Sequence, residues 1–177
     1  MRKTLICACL TLLVCIVGTG ATFSDEHQAR LIELNAYWDE VSRAVREGDF
    51  EGYRATCHDE GVLVSGVSQT SYPLAKALAR WKQGFVDTQA GKLKASVEFR
   101  FSQRIGDETT AHETGIFRYS TEGSEEGPDA ARKVVFIHFD GLLVKKKDGW
   151  KIMMEHQKSE ATQQEWEALK KPVPRDG

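Results

Sequence analysis

Two long apolar segments near the end of the chain form its clearest pattern. The first, Val134 to Val144, is rich in β-branched and aromatic residues, which fit a pleated surface better than a helix. The second starts at Trp150 and places apolar side chains at alternate positions, which is typical of a strand with one buried face. A charged turn separates the two segments, so the pattern predicts an antiparallel hairpin.

The loop of this hairpin predicts which residues face one another. Lys147-Asp148-Gly149 suits a three-residue loop, because glycine can take the left-handed conformation that closes such a turn. This register matches apolar with apolar side chains. The predicted pairs are Lys146 with Trp150, Val144 with Ile152, Leu142 with Met154, and Asp140 with His156. We therefore expect the last pair to share the inward face with Trp150, and His138 to lie one step further along.

The earlier part of the chain has a helical period instead. Apolar residues recur every three or four positions from Leu31 to Val45, and Gly48 ends this amphipathic helix. A shorter helix follows Asp49, and a third opens at 71–73 after a short strand at 61–66. Alternation returns at Lys94 and predicts two more strands before the hairpin. Three helices followed by a four-stranded antiparallel meander predict an α+β fold, with the helices packed in the concave face of a curved sheet.

Length and composition indicate one globular domain behind an export signal. The chain has 177 residues, of which 41% are hydrophobic and 28% charged. A basic start, an apolar run from Leu5 to Val17 and small residues up to Ala21 are typical of a secretory signal peptide. We predict a signal peptide in residues 1–21, a single domain in residues 22–161 and a C-terminal tail in residues 162–177. The expected location is secreted or periplasmic.

Charge and cysteine content exclude some partners and cross-links. Losing Arg2 and Lys3 with the signal peptide takes the formal net charge from −2 to −4. This mild acidity argues against nucleic acid or an anionic membrane as a partner. Three of the four cysteines lie in the predicted signal peptide, so Cys57 alone remains and no internal disulfide is expected.

The order of motifs resembles the nuclear transport factor 2-like superfamily, in particular its SnoaL-like and ketosteroid-isomerase-like members. The motifs that carry the resemblance are Arg46-Glu47-Gly48-Asp49-Phe50, Cys57-His58-Asp59-Glu60-Gly61-Val62-Leu63-Val64, Trp81 with Phe85, and Lys147-Asp148-Gly149-Trp150-Lys151-Ile152 with His156 and Ser159. The ending from Trp150 to Ser159 is also similar to the association domain of calcium/calmodulin-dependent kinase II. The resemblance implies a cone-shaped, cystatin-like fold with a cavity at its wide end.

The same resemblance disfavours a steroid-isomerase mechanism. The tyrosine that such enzymes use as a hydrogen-bond donor would fall at Val41, and their carboxylate base would fall at Ser65. Fold alone does not fix function, because this scaffold carries isomerases, dehydratases, binding proteins and oligomerisation modules.

Asp140, His156 and His138 form the candidate catalytic group. A carboxylate that accepts the imidazole N–H orients the ring and raises its basicity, which suits a general base. The alternative is a polar pair in which each member satisfies the other at the rim of the core. The three side chains include suitable metal ligands, but no spacing holds them together, so neither a metal nor a cofactor is expected.

Aromatic and apolar side chains supply a candidate ligand pocket, although residues at helical spacing also make ordinary core. The candidates are Tyr37, Trp38, Trp81, Phe85 and Met154. His112 and Glu113 lie in a predicted middle strand, from Thr109 to Thr121, where neighbours must point to opposite faces, so at most one of them faces the cavity.

Three classes of function follow. The leading prediction is an exported protein that binds a small, partly apolar organic molecule. The first alternative is a lyase, isomerase or hydrolase that uses His156 as a base oriented by Asp140. The second is an oligomerisation or interaction module. A homodimer is expected in every case, through an outer sheet face predicted to carry Val135, Ile137, Phe139 and Leu143.

Overall fold

The computed structural model describes residues 23–123 and 132–169. The predicted signal peptide, residues 124–131 and the end of the predicted tail lie outside these residues. The helices are α1 (Phe23–Glu47), α2 (Phe50–Ala55), α3 (Leu74–Gln89) and α4 (Gln163–Ala168). The strands are β1 (Cys57–Ser65), β2 (Thr70–Pro73), β3 (Leu93–Gly106), β4 (Thr110–Gly123), β5 (Lys133–Lys146) and β6 (Gly149–Glu160).

The strands form one six-stranded sheet in the order β2-β1-β6-β5-β4-β3. Neighbouring strands are antiparallel except β1 and β6, which run parallel. Helices α1 to α3 cover the concave face, and the predicted α+β fold is confirmed. The sequence did not reveal β2: Ser71-Tyr72-Pro73 was predicted to open a helix, but these residues pair with β1 and α3 starts one residue later.

The central hairpin is tighter than predicted at its turn. Lys146 faces Gly149, so the loop has two residues, and Trp150 faces Lys145 instead of Lys146. A β-bulge between the Ile152 and Met154 pairings then inserts one extra residue into β6. The bulge restores the predicted pairs beyond it, so Leu142 faces Met154 and Asp140 faces His156.

The bulge also changes which side chains face inward. Trp150 and Ile152 lie in the core, while Met154 and His156, beyond the extra residue, point to the convex face. The predicted common face of Trp150 and His156 is therefore wrong. A prediction that assumes strict alternation of inward and outward side chains along a strand cannot anticipate an inserted residue.

The face of β5 that the sequence predicted to point outward points inward in the structure. Ile137, Phe139 and Leu143 are buried among the helices, and Val135 borders the same interior. The error arose because both faces of this strand carry apolar residues. The polar residues His138 and Asp140 alternate with the buried set, and they mark the convex side.

The start of the predicted tail forms α4, which packs on the convex face. Thr162 caps this helix by accepting a hydrogen bond from the backbone N–H of Glu165, whose side chain accepts one from the Thr162 N–H in return. Trp166 is buried, with its ring 5.9 Å from Phe136 and the Arg100 guanidinium 4.2 Å above it. In the described part of the chain, no helix has both the length and the apolar character needed to cross a membrane.

Candidate functional site

An open cavity of about 460 Å³ lies between helices α1 to α3 and the concave face of the sheet. Most of its walls are apolar, and nine of its lining residues are aromatic, namely Tyr37, Trp38, Tyr53, Trp81, Phe85, Phe99, Phe117, Tyr119 and Phe139. The structure places four of the predicted ligand-binding residues on the wall: Tyr37, Trp38, Trp81 and Phe85. Met154 is the exception, because it lies on the convex face beside Val62 and Leu142.

Trp38 is the centre of the aromatic packing at the base of the cavity. Its ring centroid lies 5.0 Å from Tyr37, 4.4 Å from Phe99 and 5.6 Å from Phe139. These separations and the edge-on or tilted angles are favourable for aromatic pairs. The base of the cavity is therefore a rigid aromatic surface.

A buried ion pair fixes the indole of Trp38. Its Nε1 donates to Glu113 Oε2 at 2.5 Å, and Glu113 Oε1 accepts from Arg104 Nε at 2.6 Å. Arg104 also donates to Asn35 Oδ1 at 2.5 Å. Of the two residues His112 and Glu113, Glu113 faces inward. It lies behind Trp38, which lines the cavity, and is not itself part of the cavity lining.

The two tyrosines that α1 and α2 contribute to the cavity wall, Tyr37 and Tyr53, are neutral groups. Burial raises the pKa of Tyr37 and of Tyr53 well above the ordinary value. The Tyr37 hydroxyl donates to the Thr56 carbonyl at 3.2 Å, so its proton is already engaged by the protein.

Glu155 is the acidic group that the sequence did not reveal. It lines the cavity, and its Oε1 accepts a hydrogen bond of 2.7 Å from Gln157 Nε2. Burial raises the pKa of this carboxyl. The β6 bulge turns Glu155 inward, so strict alternation from Trp150 would assign it to the wrong face. A carboxylic acid in an apolar cavity can donate a hydrogen bond, accept one, or exchange a proton with a ligand.

Two further polar residues border the same cavity. Burial raises the pKa of the Cys57 thiol to about 12, so it is a poor nucleophile. Arg80 also lines the cavity, but its side chain is largely exposed, and its guanidinium lies 4.9 Å from the Tyr72 ring, outside the cavity lining. Among the described lining residues, Glu155 is the acid and Arg80 the base.

Asp140 and His156 are neighbours, as predicted, but on the convex face. His156 Nδ1 lies 3.7 Å from Asp140 Oδ2, which is longer than a hydrogen bond. Asp140 Oδ1 accepts from Thr114 Oγ1 at 2.9 Å, and the Lys158 ammonium lies 3.4 Å from Oδ2. The predicted position of this pair inside the cavity is wrong, because Phe139, and not Asp140, faces inward.

His138 lies on the same convex face, where it borders a second cavity of about 350 Å³ under α4. Its Nε2 is 3.3 Å from Glu165 Oε1 of that helix. The three predicted catalytic side chains are thus separated from the aromatic cavity by the sheet. Within residues 23–123 and 132–169, no group of three or more His, Cys, Asp or Glu side chains is arranged to hold a metal ion.

The arrangement of helices and strands is shared with solved structures of very different sequence. A nuclear transport factor 2-like superfamily protein from Salmonella enterica serovar Typhimurium superposes with a TM-score of 0.55 at 10% identity, over 77% of this chain and 95% of that one. A ketosteroid isomerase-like protein from Erwinia carotovora atroseptica gives 0.53 at 14%, over 75% and 97%. This chain has the nuclear transport factor 2-like fold. The resemblance stated from the motifs is thereby confirmed.

A calcium/calmodulin-dependent kinase II association-domain structure from Exiguobacterium sibiricum has the same nuclear transport factor 2-like fold. It superposes with a TM-score of 0.55 at 13% identity, over 76% of this chain and 95% of that one. No protein-family model and no curated protein matches the sequence. Identities this low show the fold alone, so function must be argued from the site.

The site differs from the isomerase-type arrangement that this fold can carry. Val41, at the position expected for the tyrosine donor, lines the cavity with an apolar side chain. Ser65, at the position expected for the base, is buried away from the cavity lining, and its Oγ accepts hydrogen bonds from Ser68. The acidic group of this cavity comes instead from β6.

Proposed function

We propose that the protein binds a small, largely apolar organic molecule in the aromatic cavity, with Glu155 and Gln157 as its polar anchor. The observation that carries this proposal is the cavity itself. Its volume lies within the range of small-molecule sites, and its walls combine many apolar side chains with few polar ones. An interaction module would favour a cone filled by side chains. The described residues instead leave a cavity in the cone.

A glycine in the cavity wall allows a direct test. Gly84 lies within α3, and a Cβ added there would meet nothing within 4 Å, so a larger side chain enters open space. Gly84→Leu should narrow the cavity while the helix gains stability, because glycine is a poor residue for a helix interior. Ala79→Leu, at an exposed position of the same helix, is the matched control.

The measurement is native mass spectrometry of the purified protein, followed by identification of any released small molecule. We expect a bound molecule in the wild type and in Ala79→Leu, and its loss in Gly84→Leu. Equal occupancy in Gly84→Leu would contradict binding in this cavity. If no molecule co-purifies, a fragment screen by calorimetry on the same three proteins decides, and absence of any hit that Gly84→Leu weakens overturns the proposal.

A catalytic version of the same site is the second candidate. A carboxyl of raised pKa inside an apolar cavity is what general acid or base chemistry uses. The catalytic alternative therefore moves from the Asp140–His156 pair to Glu155. Once a ligand is identified, conversion that Glu155→Gln abolishes and His156→Ala preserves would establish it, whereas conversion lost only in His156→Ala would restore the original assignment.

Export remains a proposal that rests on the first 21 residues of the sequence. The basic start, the apolar run and the small residues before the domain are the features that support it. Expression of the full chain in a bacterial host, followed by fractionation and N-terminal sequencing, tests it. Recovery of uncleaved protein from the cytosol would contradict export.

A further inference from the structure

We propose that the ligand of the aromatic cavity is an organic cation, namely a protonated amine on an apolar or aromatic body, with its ammonium group against Glu155. This inference rests on the proposed binding function and names the chemical class of the ligand. It follows from the charges and the ring surfaces that the cavity presents.

Among the described residues, none supplies the carboxyl of Glu155 with a contacting positive charge. Its Oε1 accepts from Gln157, a neutral amide, and no basic side chain in the described lining contacts it. Arg80 is held at the rim beside Tyr72. Of the lysines on β6, Lys151 is engaged by Asp148 and by the Ala55 carbonyl, and Lys158 lies beside Asp140 on the convex face. Burial raises the pKa of the Glu155 carboxyl, and a ligand cation placed against it would favour its ionised form.

The other titratable groups around Glu155 cannot supply the missing charge. They come from four elements of the cavity wall: Tyr37 on α1, Tyr53 on α2, Cys57 on β1 and Tyr119 on β4. Burial raises the pKa of each, so all four are neutral near pH 7. The charge of Glu155 contributes to the raised pKa of Tyr37, Tyr53 and Cys57, which places these three within its electrostatic reach.

The ring surfaces favour a cation as well. An ammonium group is attracted to the faces of Trp and Tyr rings, most strongly where water is excluded. Tyr53 stands 6.1 Å from Trp81 and 5.1 Å from Phe85, and these three rings line the same cavity as Tyr37 and Trp38. Aromatic faces combined with one acid are the usual means by which proteins bind amines.

Three naphthalene probes of nearly equal size separate the possible polar groups. They are 2-(2-naphthyl)ethylamine, a cation at pH 7; 2-(2-naphthyl)ethanol, a neutral donor and acceptor; and 2-acetylnaphthalene, an acceptor. Isothermal titration calorimetry at pH 7 should show the amine binding at least about tenfold more tightly than the alcohol, as one buried charge-assisted hydrogen bond implies. Glu155→Gln should abolish that preference, and His156→Gln, the neighbouring residue on the opposite face, should leave it unchanged.

The pH dependence gives a second measurement on the wild-type protein. An ammonium favours the ionised form of Glu155, so amine binding releases a proton wherever the free carboxyl is protonated. Amine affinity should therefore fall as the pH is lowered toward 4.5, while the affinity of the alcohol stays constant. This comparison holds even if Glu155→Gln fails to fold.

The outcomes distinguish this inference from the proposed function. Equal affinity for the amine and the alcohol, or tightest binding of the ketone, overturns the cation assignment while leaving a small-molecule site. If none of the probes binds, both the cation assignment and the cavity as a site for molecules of this size are refuted. Amine binding that Gly84→Leu does not weaken would place the amine outside the cavity and also overturn the inference.

Discussion

Trp38 on α1 and Glu113 on β4 are joined across the interior by a hydrogen bond of 2.5 Å from the indole Nε1 to the carboxylate. The same carboxylate pairs with Arg104, and its side chain is fully buried. One acidic residue thus orients the ring at the base of the cavity and neutralises a largely buried arginine. Removing one member of a buried pair costs more than the pair itself contributes, because the remaining charge is left unpaired.

Glu113→Gln should therefore lower the free energy of unfolding by about 3 kcal/mol or more. A matched control lies on the neighbouring strand, where Glu98 pairs with Arg118 at the same 2.6 Å but with 51% of its side chain exposed. Glu98→Gln should cost less than about 1 kcal/mol, because water screens exposed pairs. Urea unfolding measures both values, and similar costs for the two variants would contradict the structural role assigned to burial.

Gly48 ends α1 in a left-handed conformation, with φ of +69°, and lies against α3. A Cβ there would stand 2.4 Å from the Gln89 nitrogen and 2.5 Å from the Phe85 carbonyl oxygen. Gly48→Ala should thus lower the free energy of unfolding by more than about 1–2 kcal/mol, which is the cost of the left-handed conformation alone. Gly91 has a similar φ of +73° and open space around it, so Gly91→Ala should show the conformational cost without the collision. Thermal and urea unfolding of the two variants would reveal equal losses if the contact with α3 were unimportant.

The raised pKa of Glu155 predicts a pH dependence of stability. The folded protein binds the Glu155 proton more tightly than the unfolded chain does, so above pH 4.5 the unfolded chain releases its proton first. Stability should consequently fall as the pH rises from 4.5 through the raised pKa, and it should be unaffected by this group at lower pH. Glu155→Gln removes the effect. Urea unfolding of both proteins from pH 4 to pH 8 should show the wild type losing stability relative to the variant, and a constant difference would refute the burial effect.

We propose that the protein forms a homodimer through the convex sheet face, at a position that differs from the one the sequence indicated. Val62, Met154 and Leu142 are paired across β1, β6 and β5, and they form an apolar row beyond α4. Val62 and Leu142 are 39% and 37% exposed. Leu142→Lys should convert a dimer into a monomer, whereas Val86→Lys, at a 45% exposed position of α3, should not. Light scattering at micromolar concentration decides, and a monomeric wild type would contradict the proposal.

Much of the fold follows from local periodicity, and the exceptions have local causes. The helix from Leu31 to Val45 and the strands that follow Lys94 show clear periods of 3.6 and 2. β2 escaped prediction because a four-residue strand that contains Pro73 is too short to establish an alternation and resembles a helix start. The loop of the central hairpin was predicted one residue too long, since the compensating bulge leaves no mark in the apolar pattern.

The residues of the candidate site show the same difference between those that local periodicity predicts and those that it does not. Tyr37, Trp38, Trp81 and Phe85 reach the cavity because helical spacing directs them to the core whatever the strands do. The faces of Asp140, His156 and Glu155 depend on strand phase. Phe139 of β5 faces inward, so Asp140 lies on the convex face, and the inserted residue in β6 places His156 on that face as well and Glu155 inside.

By itself, the sequence determined the α+β architecture, the resemblance to the nuclear transport factor 2-like fold, the aromatic residues of the cavity and the pairing of Asp140 with His156, because these depend on periods and on the order of motifs. Only the tertiary structure decided which sheet face encloses the cavity and which acid lies within it. That choice depends on a bulge and on helices packing against one of two apolar faces, and both are set by contacts between residues far apart in the chain.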